Sequence, residues 1–429
     1  MIEYVSNKGM TCFGGIHLVH EKIISQDIIE LIKKHLGERA SNAEYGYSDL
    51  FLSMCYTTFC GGDCAEDINY LSETFGVLKD FKVPSADTIL AMQKELSTEV
   101  QTLYSEEGNE NEINYNDKLN ALMVDMSIHL GVLSQGEREY TLDFDHQFLP
   151  TEKYDAKYGY KNERGYFPGV GSINNSPVYI ENRNGNSNVN FNQLATFKRM
   201  DKVLEDNQII PKRYRMDSGS YLKDITDYIH SEKKGLFYIR AEQCDSMLFE
   251  AANCEKDWNK CQIGFNRYEI NSFPYKFGKH TFRIVAYRWA NKTGQRHLIT
   301  GDANNYLFII TNDSQWDEEK IIRFYNQRGN SERLFDIQNN DFNWKKLPFS
   351  EMQYNSVYLH MMAACHILYQ SLIRYFSRLF QFLQSHHRLK KFIFRLICIP
   401  AKTIRSGRRQ ITKLFVGDRV KQFVDYNTS

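Results

Sequence analysis

Residues 305–349 read NYLFIITNDSQWDEEKIIRFYNQRGNSERLFDIQNNDFNWKKLPF, and the fold assignment starts from this stretch. Aromatic and β-branched residues fill positions 306–311, which is typical of a buried strand. Polar turn residues follow, and Ser314 with Asp317 three residues later has the pattern of a capping box. Acidic residues at 317–319 suit the positive end of a helix. The stretch therefore predicts a strand, a turn and a helix in succession.

Three polar side chains share one face of that predicted helix. Tyr325, Arg328 and Glu332 stand at i, i+3 and i+7, so they fall within a sector of roughly 60°. Arg328 and Glu332 are one turn apart, and such a pair is most often an ordinary surface ion pair. The choice between that interpretation and a functional one depends on the rest of the chain.

The composition describes a globular protein with an uneven distribution of charge. With 429 residues, 42% of them hydrophobic, the chain is long enough for several domains. The formal net charge is zero, yet residues 371–429 contain thirteen Lys and Arg against two Asp. A basic tail predicts an anionic partner, either nucleic acid or a membrane surface, although a solvated helical face explains it as well.

Cysteine usage and hydropathy indicate a reducing compartment. The nine cysteines are odd in number and irregularly spaced, and neither Cys60-x3-Cys64 nor Cys254-x6-Cys261 has the paired spacing of a zinc site. The sequence shows no signal-peptide pattern at its start and no run of about 20 apolar residues. We therefore expect a cytoplasmic protein.

The order of the predicted elements is that of an α/β protein. Residues 1–100 have helical patterns separated by turns, which suits a helix-turn-helix-like DNA module or any small helical domain. An acidic, aperiodic stretch follows. Six strands are then predicted, at 121–124, 140–144, 165–173, 177–181, 213–216 and 235–240. A helix is predicted before the strand at 213–216 and another before the strand at 235–240. Short β signals dominate 249–311.

Further acids stand where predicted strands end. Asp143 and Asp145 lie on one face of a strand by the period-two rule, and Asp217 follows the strand at 213–216 beside a glycine turn. Sites in open α/β sheets form at strand ends. A lone Asp at such a place is more often a helix cap or a turn residue, but three acids in this order are less easily explained that way.

Asp145, Asp217 and Glu332, with Tyr325-x2-Arg328-x3-Glu332, resemble the DDE transposases of bacterial insertion sequences, in the group with a Y-x2-R-x3-E-x6-K motif. The likeness extends over most of the chain through three shorter stretches: Leu142-Asp-Phe-Asp145, Arg183-x-Gly-Asn186 and Asp217-x-Gly-x-Tyr221. The first two acids are 72 positions apart and the last two 115, which leaves room for an inserted domain.

The resemblance implies an α/β (α+β multidomain) architecture: an RNase H-like mixed sheet core with helices, interrupted by a β-strand insertion, plus helical N-terminal and C-terminal regions. It divides the chain as follows: 1–104 a helical N-terminal region with possible DNA-end binding, 105–118 a linker, 119–240 the first part of the core, 241–304 the β-rich insertion, 305–370 the second part of the core and 371–429 a basic helical tail.

The resemblance also implies a reaction. Asp145, Asp217 and Glu332 would be catalytic and would bind two Mg²⁺ or Mn²⁺ ions, for which carboxylate oxygens are suitable ligands. Tyr325 and Arg328 would bind DNA. The substrates would be the terminal inverted repeats of the element and its target DNA, with the protein acting near the nucleoid as a dimer on DNA.

Two departures from the motif qualify the resemblance, and one assignment stays open. Asn339 stands where the family has a lysine, and Gly329 lies inside the predicted helix, so the helix bends there or DNA needs room. Asp143 is an alternative to Asp145 as the first acid, although the family's acid usually lies at the strand's end. Alternative functions are an RNase H-like nuclease, an inactive transposase-derived DNA binder and a peripheral membrane protein.

Overall fold

The computed structural model describes residues 9–136, 138–254, 257–407, 409–417 and 423. Its helices are α1 (Ile16–Ile24), α2 (Ile28–Leu36), α3 (Tyr47–Phe59), α4 (Ile68–Phe75), α5 (Ala86–Glu95), α6 (Asp117–His129), α7 (Gln193–Asp206), α8 (Lys223–Asp227), α9 (Asp245–Ala252), α10 (Glu318–Asn326), α11 (Gly329–Asp341), α12 (Met352–Leu379) and α13 (Leu389–Phe392).

The strands are β1 (Met10–Thr11), β2 (Gln101–Tyr104), β3 (Glu110–Tyr115), β4 (Thr141–His146), β5 (Leu149–Pro150), β6 (Lys157–Tyr158), β7 (Arg164–Tyr166), β8 (Gly169–Ile173), β9 (Ser176–Arg183), β10 (Arg213–Met216), β11 (Leu236–Ala241), β12 (Asn259–Ile263), β13 (Asn266–Phe277), β14 (His280–Ala290), β15 (Asn304–Thr311), β16 (Ala401–Ser406) and β17 (Arg409–Leu414).

A large mixed sheet organises the molecule. Its strand order is β12-β13-β14-β15-β11-β10-β4-β8-β9-β3-β2. Strand β4 is antiparallel to β8 and parallel to β10, which is parallel to β11, while β8 and β9 form a hairpin. The strands β4, β8, β9, β10 and β11 can be numbered 1 to 5 in chain order. They then lie in the order 3-2-1-4-5 across the sheet, which is the order of an RNase H-like sheet. The predicted fold class, a mixed α/β architecture, is confirmed.

The β-rich segment between the second and third candidate acids continues this sheet. Strands β13 and β14 form a long hairpin, and β14 pairs with β15, which in turn pairs with β11. The segment therefore adds strands at one edge of the core sheet. The predicted strand at 213–216 is confirmed as β10, and that at 306–311 lies within β15.

The helix α12 forms the centre of a second apolar core. It packs against α3, α5 and α6 and against β9, and most of its 28 residues are buried. Apolar side chains of the N-terminal helices belong to the same cluster. Among the described residues, no helix is both long and apolar enough to cross a bilayer.

Two predictions around residue 115 are wrong. The stretch at 105–118, predicted to be a linker, contains β3, which pairs with β2 and β9. One of its polar side chains is buried in the fold: Asn114 donates from Nδ2 to the carbonyl oxygen of Thr98 at 2.8 Å. The predicted strand at 121–124 lies in α6, because Asn116 caps a helix there and Leu119, Leu122, Met123 and Met126 bury one helical face.

The predicted single helix after β15 is two helices. Asp317, and not Ser314, is the N-cap of α10, since its Oδ1 accepts from the backbone N–H of Lys320 at 2.7 Å. The helix ends at Asn326, and α11 begins at Gly329.

The basic tail is helical only in part. After α13 the chain forms the hairpin β16–β17, in which Thr403 pairs with Thr412 and Ile404 with Ile411. β-Branched residues favour strands, and Gly407 supplies the positive φ that a tight turn requires.

Candidate active site

The sheet register brings Asp145 and Asp217 to the same edge. Strands β4 and β10 are parallel neighbours, with Met216 opposite Phe144. The next residue on each strand is an aspartate, Asp217 on one and Asp145 on the other. Neighbouring strands lie about 4.8 Å apart, so two carboxylates from acids 72 positions apart in the chain become close neighbours.

The Asp145 carboxylate lies in a confined and charged environment. Its side chain is 13% exposed, and its Oδ2 accepts a hydrogen bond from Arg328 Nη1 at 2.8 Å. Its Oδ1 accepts from the backbone N–H of His146 at 2.9 Å. Burial, and then the neighbouring charge of Asp217, raise the pKa of Asp145 to about 7 despite the opposing effect of Arg328. Near neutral pH this carboxyl is therefore poised between its two protonation states.

Asp217 has a local structural role as well. Its Oδ1 accepts from the backbone N–H of Gly219 at 2.9 Å and so caps the short 3₁₀ turn at Ser218–Ser220. The alternative interpretation of a lone aspartate as a cap is thus correct for this residue, yet the capping fixes the carboxylate beside Asp145.

Asp143 is engaged elsewhere. Arg215 forms a forked ion pair with it, from Nε to Oδ1 at 2.6 Å and from Nη2 to Oδ2 at 2.8 Å. Both side chains are buried, and burial raises the pKa of Asp143 although Arg215 opposes the shift. The Asp143 oxygens are already used by this bidentate pair, whereas Asp145 faces Asp217 and Arg328.

Arg215 also holds the helical segment that follows β15. Its Nη1 donates to the carbonyl oxygen of Phe324 at 2.6 Å, and its guanidinium lies 4.7 Å from the centre of the Phe324 ring. The Phe324 carbonyl also accepts from the backbone N–H of Gln327 at 3.2 Å, so Arg215 adds a second donor at the C-terminal end of α10. Sequence reasoning gave Arg215 no role, although its position two residues before Asp217 and level with Asp143 was a usable signal.

Tyr325 and Arg328 lie at the junction of α10 and α11. Burial raises the pKa of Tyr325 to about 12, and the charges of Arg328 and Asp217 act on the phenol as well. Its buried hydroxyl has no hydrogen-bond partner among the described residues. This hydroxyl lies beside Arg328 and near the Asp217 carboxylate, so it is available to a polar ligand that enters the site.

Glu332 stands apart from the other two acids. Its side chain is 75% exposed, and the nearest approach of Arg328 Nη2 to Glu332 Oε1 is 3.9 Å. The three carboxylates therefore border Arg328 but do not form a closed cluster. Among the described residues, one group of three side chains has potential metal-ligand atoms within 4.8 Å of one another. It consists of Asp63, Cys64 and Asp67, which lie outside the candidate site.

That exposed trio is a helix cap rather than an ion site. Asp67 Oδ2 accepts from the backbone N–H groups of Asp63 and Cys64, at 2.7 and 3.3 Å, and Lys346 pairs with the Asp63 carboxylate. The groups that would hold a cation are thus occupied by protein donors.

Asn339, at the position of the family's lysine, lies on α11 two turns after Glu332. The residue is half-buried, and its Oδ1 is enclosed without a hydrogen-bond partner among the described residues.

The donor set at the strand ends fits a divalent cation in its chemistry. Asp145 and Asp217 offer hard oxygen atoms, and the pKa of Asp145 is raised first by burial and then by the charge of Asp217, a repulsion that a cation would relieve. Glu332 has the exposure needed to change its rotamer and join them. Arg328 currently neutralises part of this charge from the same side.

Comparison with known proteins places the chain in a described group. The family model of the "Transposase DDE domain group 1" matches residues 5–421. No curated protein matches the chain. Among solved structures, the cryo-EM structure of a piggyBac transposase synaptic complex with hairpin DNA is similar at 11% identity, with a TM-score of 0.44. The match covers 90% of this chain and 79% of that one.

Proposed function

The chain belongs to the transposase DDE domain group 1 family, and on this basis we propose that it is the transposase of a bacterial insertion sequence. It would cleave the DNA at the element's ends and join those ends to a target. The observation that carries the proposal is the pair Asp145 and Asp217 on adjacent parallel strands, with Arg328 bonded to the first of them.

Each residue has a distinct proposed role. Asp145 and Asp217 hold divalent metal, Mg²⁺ or Mn²⁺, on the rigid end of the sheet, and Glu332 completes the ligand set from α11 by turning inward. Two such ions, when bound, activate the attacking hydroxyl and stabilise the leaving oxygen of the phosphodiester. Asp143 acts through Arg215 and is not the first acid of the triad.

Arg328 and Tyr325 are the proposed DNA contacts. A guanidinium matches a phosphate with two parallel hydrogen bonds, so Arg328 would exchange its bond to Asp145 for a phosphate near the cut. The Tyr325 hydroxyl, which has no partner among the described residues, would donate to the same strand. Both residues flank the end of α10, which Arg215 fixes in place.

The partners follow from the reaction. The substrates are the double-stranded terminal inverted repeats of the element and its target DNA, at the nucleoid in the cytoplasm. Cutting both ends requires at least a dimer on DNA. We further propose that the helical region 1–104 binds the ends, that 241–304 is an insertion into the core and that the basic tail from 371 contacts the backbone.

The experiment that tests the proposal uses DNA that flanks the coding region. Asp217→Ala and Glu332→Ala should abolish strand cleavage in Mg²⁺ while binding of the ends is unchanged in a gel shift. Glu250→Ala, which removes an exposed acid from α9, serves as the matched control and should cleave like the wild type. Normal cleavage by either site variant would contradict the proposed triad.

A second candidate, an RNase H-like nuclease or an inactive DNA binder, is favoured by one observation. Asn339 replaces the lysine of the motif and is half-buried. Supplying pre-cut ends with a target plasmid separates the candidates, because a transposase yields joined product and a nuclease yields none. An inactive binder would leave the DNA intact in both assays.

A further inference from the structure

An exposed group of tyrosines lies on the small sheet that follows β4. The strands β5, β7 and β6 form this sheet in that order. Tyr154, Tyr158 and Tyr160 are 84%, 67% and 70% exposed. We call these three side chains the aromatic ledge. Tyr154 lies before β6, Tyr158 in it and Tyr160 after it, so three open aromatic rings within seven residues make this segment a candidate interaction surface.

The backbone beneath the aromatic ledge is held firmly. Arg164 donates to three carbonyl oxygens of the loop before β6: Ala156 at 2.8 Å, Lys153 at 2.9 Å and Tyr154 at 3.0 Å. Asn184 donates to the carbonyl oxygen of Asp155 at 2.8 Å. The tyrosines are therefore displayed by a fixed scaffold, which lowers the entropy lost when a flat ligand stacks on them.

Ring contacts link Tyr160 of the aromatic ledge to the end of β4, the strand that carries Asp145. β5 begins four residues after Asp145, and four residues span at most about 14 Å. Ring contacts connect the two regions: His146 lies 5.6 Å from Phe167, which lies 5.8 Å from Tyr160. His146 faces the side of β4 opposite to Asp145, so the aromatic ledge lies beyond the end of the strand and not above the carboxylates.

Residues 152–164, which carry the aromatic ledge, also contain seven charged side chains of both signs. Among the described residues, neither Lys153 nor Lys161 forms an ion pair, and Lys161 Nζ lies 5.5 Å from the centre of the Tyr160 ring. Glu163 is exposed nearby, and Lys157 is already paired with Glu110 and Glu112. The three rings therefore offer stacking, and Lys153 and Lys161 add positive charge that suits a phosphate backbone.

We propose that the aromatic ledge stacks unpaired bases of the DNA strand that leaves the active site. Every base has a π-face, so tyrosines bind single-stranded DNA with little sequence preference. The proposal rests on the proposed function for its choice of DNA as the partner. It adds a specific substrate feature: the DNA near the cut is unpaired on the side of the small sheet.

The test measures binding of fluorescently labelled oligo(dT) of about 12 nucleotides to the full chain in EDTA, so that no cleavage is required. The double variant Tyr158→Ala/Tyr160→Ala should bind about 5- to 150-fold more weakly, which corresponds to the roughly 1–3 kcal/mol of one stacked base. The double Phe variant keeps both rings and should bind like the wild type. Phe265→Ala, which removes a fully exposed aromatic ring between β12 and β13, is the matched control.

Salt dependence and self-association complete the test. Because stacking releases few counterions, the Ala variant should lose affinity equally at 50 and 200 mM salt. Unchanged oligo(dT) binding by the Ala variant, or no binding by the wild type, would overturn the proposal. The proposal would also be overturned if the Ala variant sedimented as a monomer and the wild type as a dimer. The aromatic ledge would then bind a second copy of the chain and not DNA. If the wild type binds oligo(dT) but does not cut DNA, the proposed function is wrong and the proposal for the aromatic ledge still holds.

Discussion

Arg215 donates from Nη1 to the carbonyl oxygen of Phe324 at 2.6 Å and thereby joins β10 to the last turn of α10. The same guanidinium forks onto Asp143 of β4. One side chain thus connects two neighbouring core strands with the helix that leads to Tyr325 and Arg328.

Replacing Arg215 should therefore affect both stability and cleavage. Arg215→Ala leaves Asp143 buried without its partner, and we expect the free energy of unfolding to fall by about 3–5 kcal/mol. Arg215→Lys keeps a charge beside Asp143 but cannot make all three bonds. We expect it to cleave DNA roughly 100-fold more slowly, because a displacement near 1 Å at a reacting centre has that effect.

Urea unfolding and a cleavage assay measure the two effects. Arg323→Ala is the control, since Arg323 pairs with Glu319 on the exposed face of α10 and such a pair contributes about 1 kcal/mol or less. If Arg215→Lys cleaves at the wild-type rate, Arg215 does not position the helix junction.

The raised pKa of Asp145 predicts a specific pH dependence of stability. The pKa is about 7 in the folded protein against an ordinary value of 3.8. Between these values the folded state retains a proton that the unfolded state has lost, so the free energy of unfolding falls as pH rises through this window. Asp145→Asn has no such proton to lose. The free energy of unfolding of this variant minus that of the wild type should therefore increase by roughly 2–4 kcal/mol between pH 4 and pH 8.

The measurement is chemical unfolding of both proteins in EDTA at several pH values. Asn69→Ala, at an exposed site on α4 that carries no titratable group, should show a difference from wild type that does not vary with pH. Adding millimolar Mg²⁺ at pH 8 should stabilise wild type more than Asp145→Asn, because the ion binds the folded carboxylates. A pH-independent difference for Asp145→Asn would contradict the assignment.

Local sequence patterns predicted those parts of the fold whose signals are local. The strand at 213–216 alternates charged and apolar residues between turn residues and was identified with its bounds intact. β3 was missed because its polar side chains bond to the backbone of a neighbouring segment, a contact that no local pattern reveals. The strand at 121–124 was wrongly assigned because four apolar residues fit a strand and a buried helix equally well.

The residues of the candidate site were likewise predicted where their signals are local and missed where their partners are distant in the chain. The acids Asp145 and Asp217 were found because each ends a recognisable strand, and the parallel register then makes them neighbours. Arg215 was overlooked because its partners, Asp143 and Phe324, are distant in the chain. The outward orientation of Glu332 depends on the break between α10 and α11, which the periodicity of a single continuous helix concealed.

Gly329 offers a test of how closely DNA approaches the helix junction. A Cβ added there would meet no protein atom within 4 Å, and the residue has no positive φ. Gly329→Ala should therefore raise the free energy of unfolding by up to about 1 kcal/mol. If a DNA backbone passes over α11 at this point, the same methyl group should slow cleavage.

Unfolding and cleavage are measured together for this variant. Gly37→Ala is the contrasting control: its Cβ also has open space, but φ is +77°, so we expect a loss of about 1 kcal/mol. A Gly329→Ala protein that is more stable and fully active would mean that the open space at α11 is not used by DNA.

Arg183 should be among the most sensitive positions outside the site itself. Its fully buried guanidinium donates to Glu181 at 3.0 Å and to the carbonyl oxygens of Asn188 and Phe191 at 3.1 and 2.7 Å. The loop held in this way places Val189 against the turn at Gly219, beside Asp217. Arg183→Ala would leave Glu181 buried with only Arg199 as its charged partner, and we expect a loss of about 3–5 kcal/mol.

Arg183→Lys tests the loop contacts apart from the charge. A lysine ammonium keeps the ion pair with Glu181, but it lacks the forked guanidinium that bonds to both carbonyl oxygens. We expect this variant to fold and to bind DNA ends, with cleavage reduced because the Asp217 turn loses its support. Lys198→Ala, which breaks a surface pair with Glu232, should leave stability and cleavage unchanged. Wild-type cleavage by Arg183→Lys would show that the loop at 188–191 does not support Asp217, whatever the effect on stability.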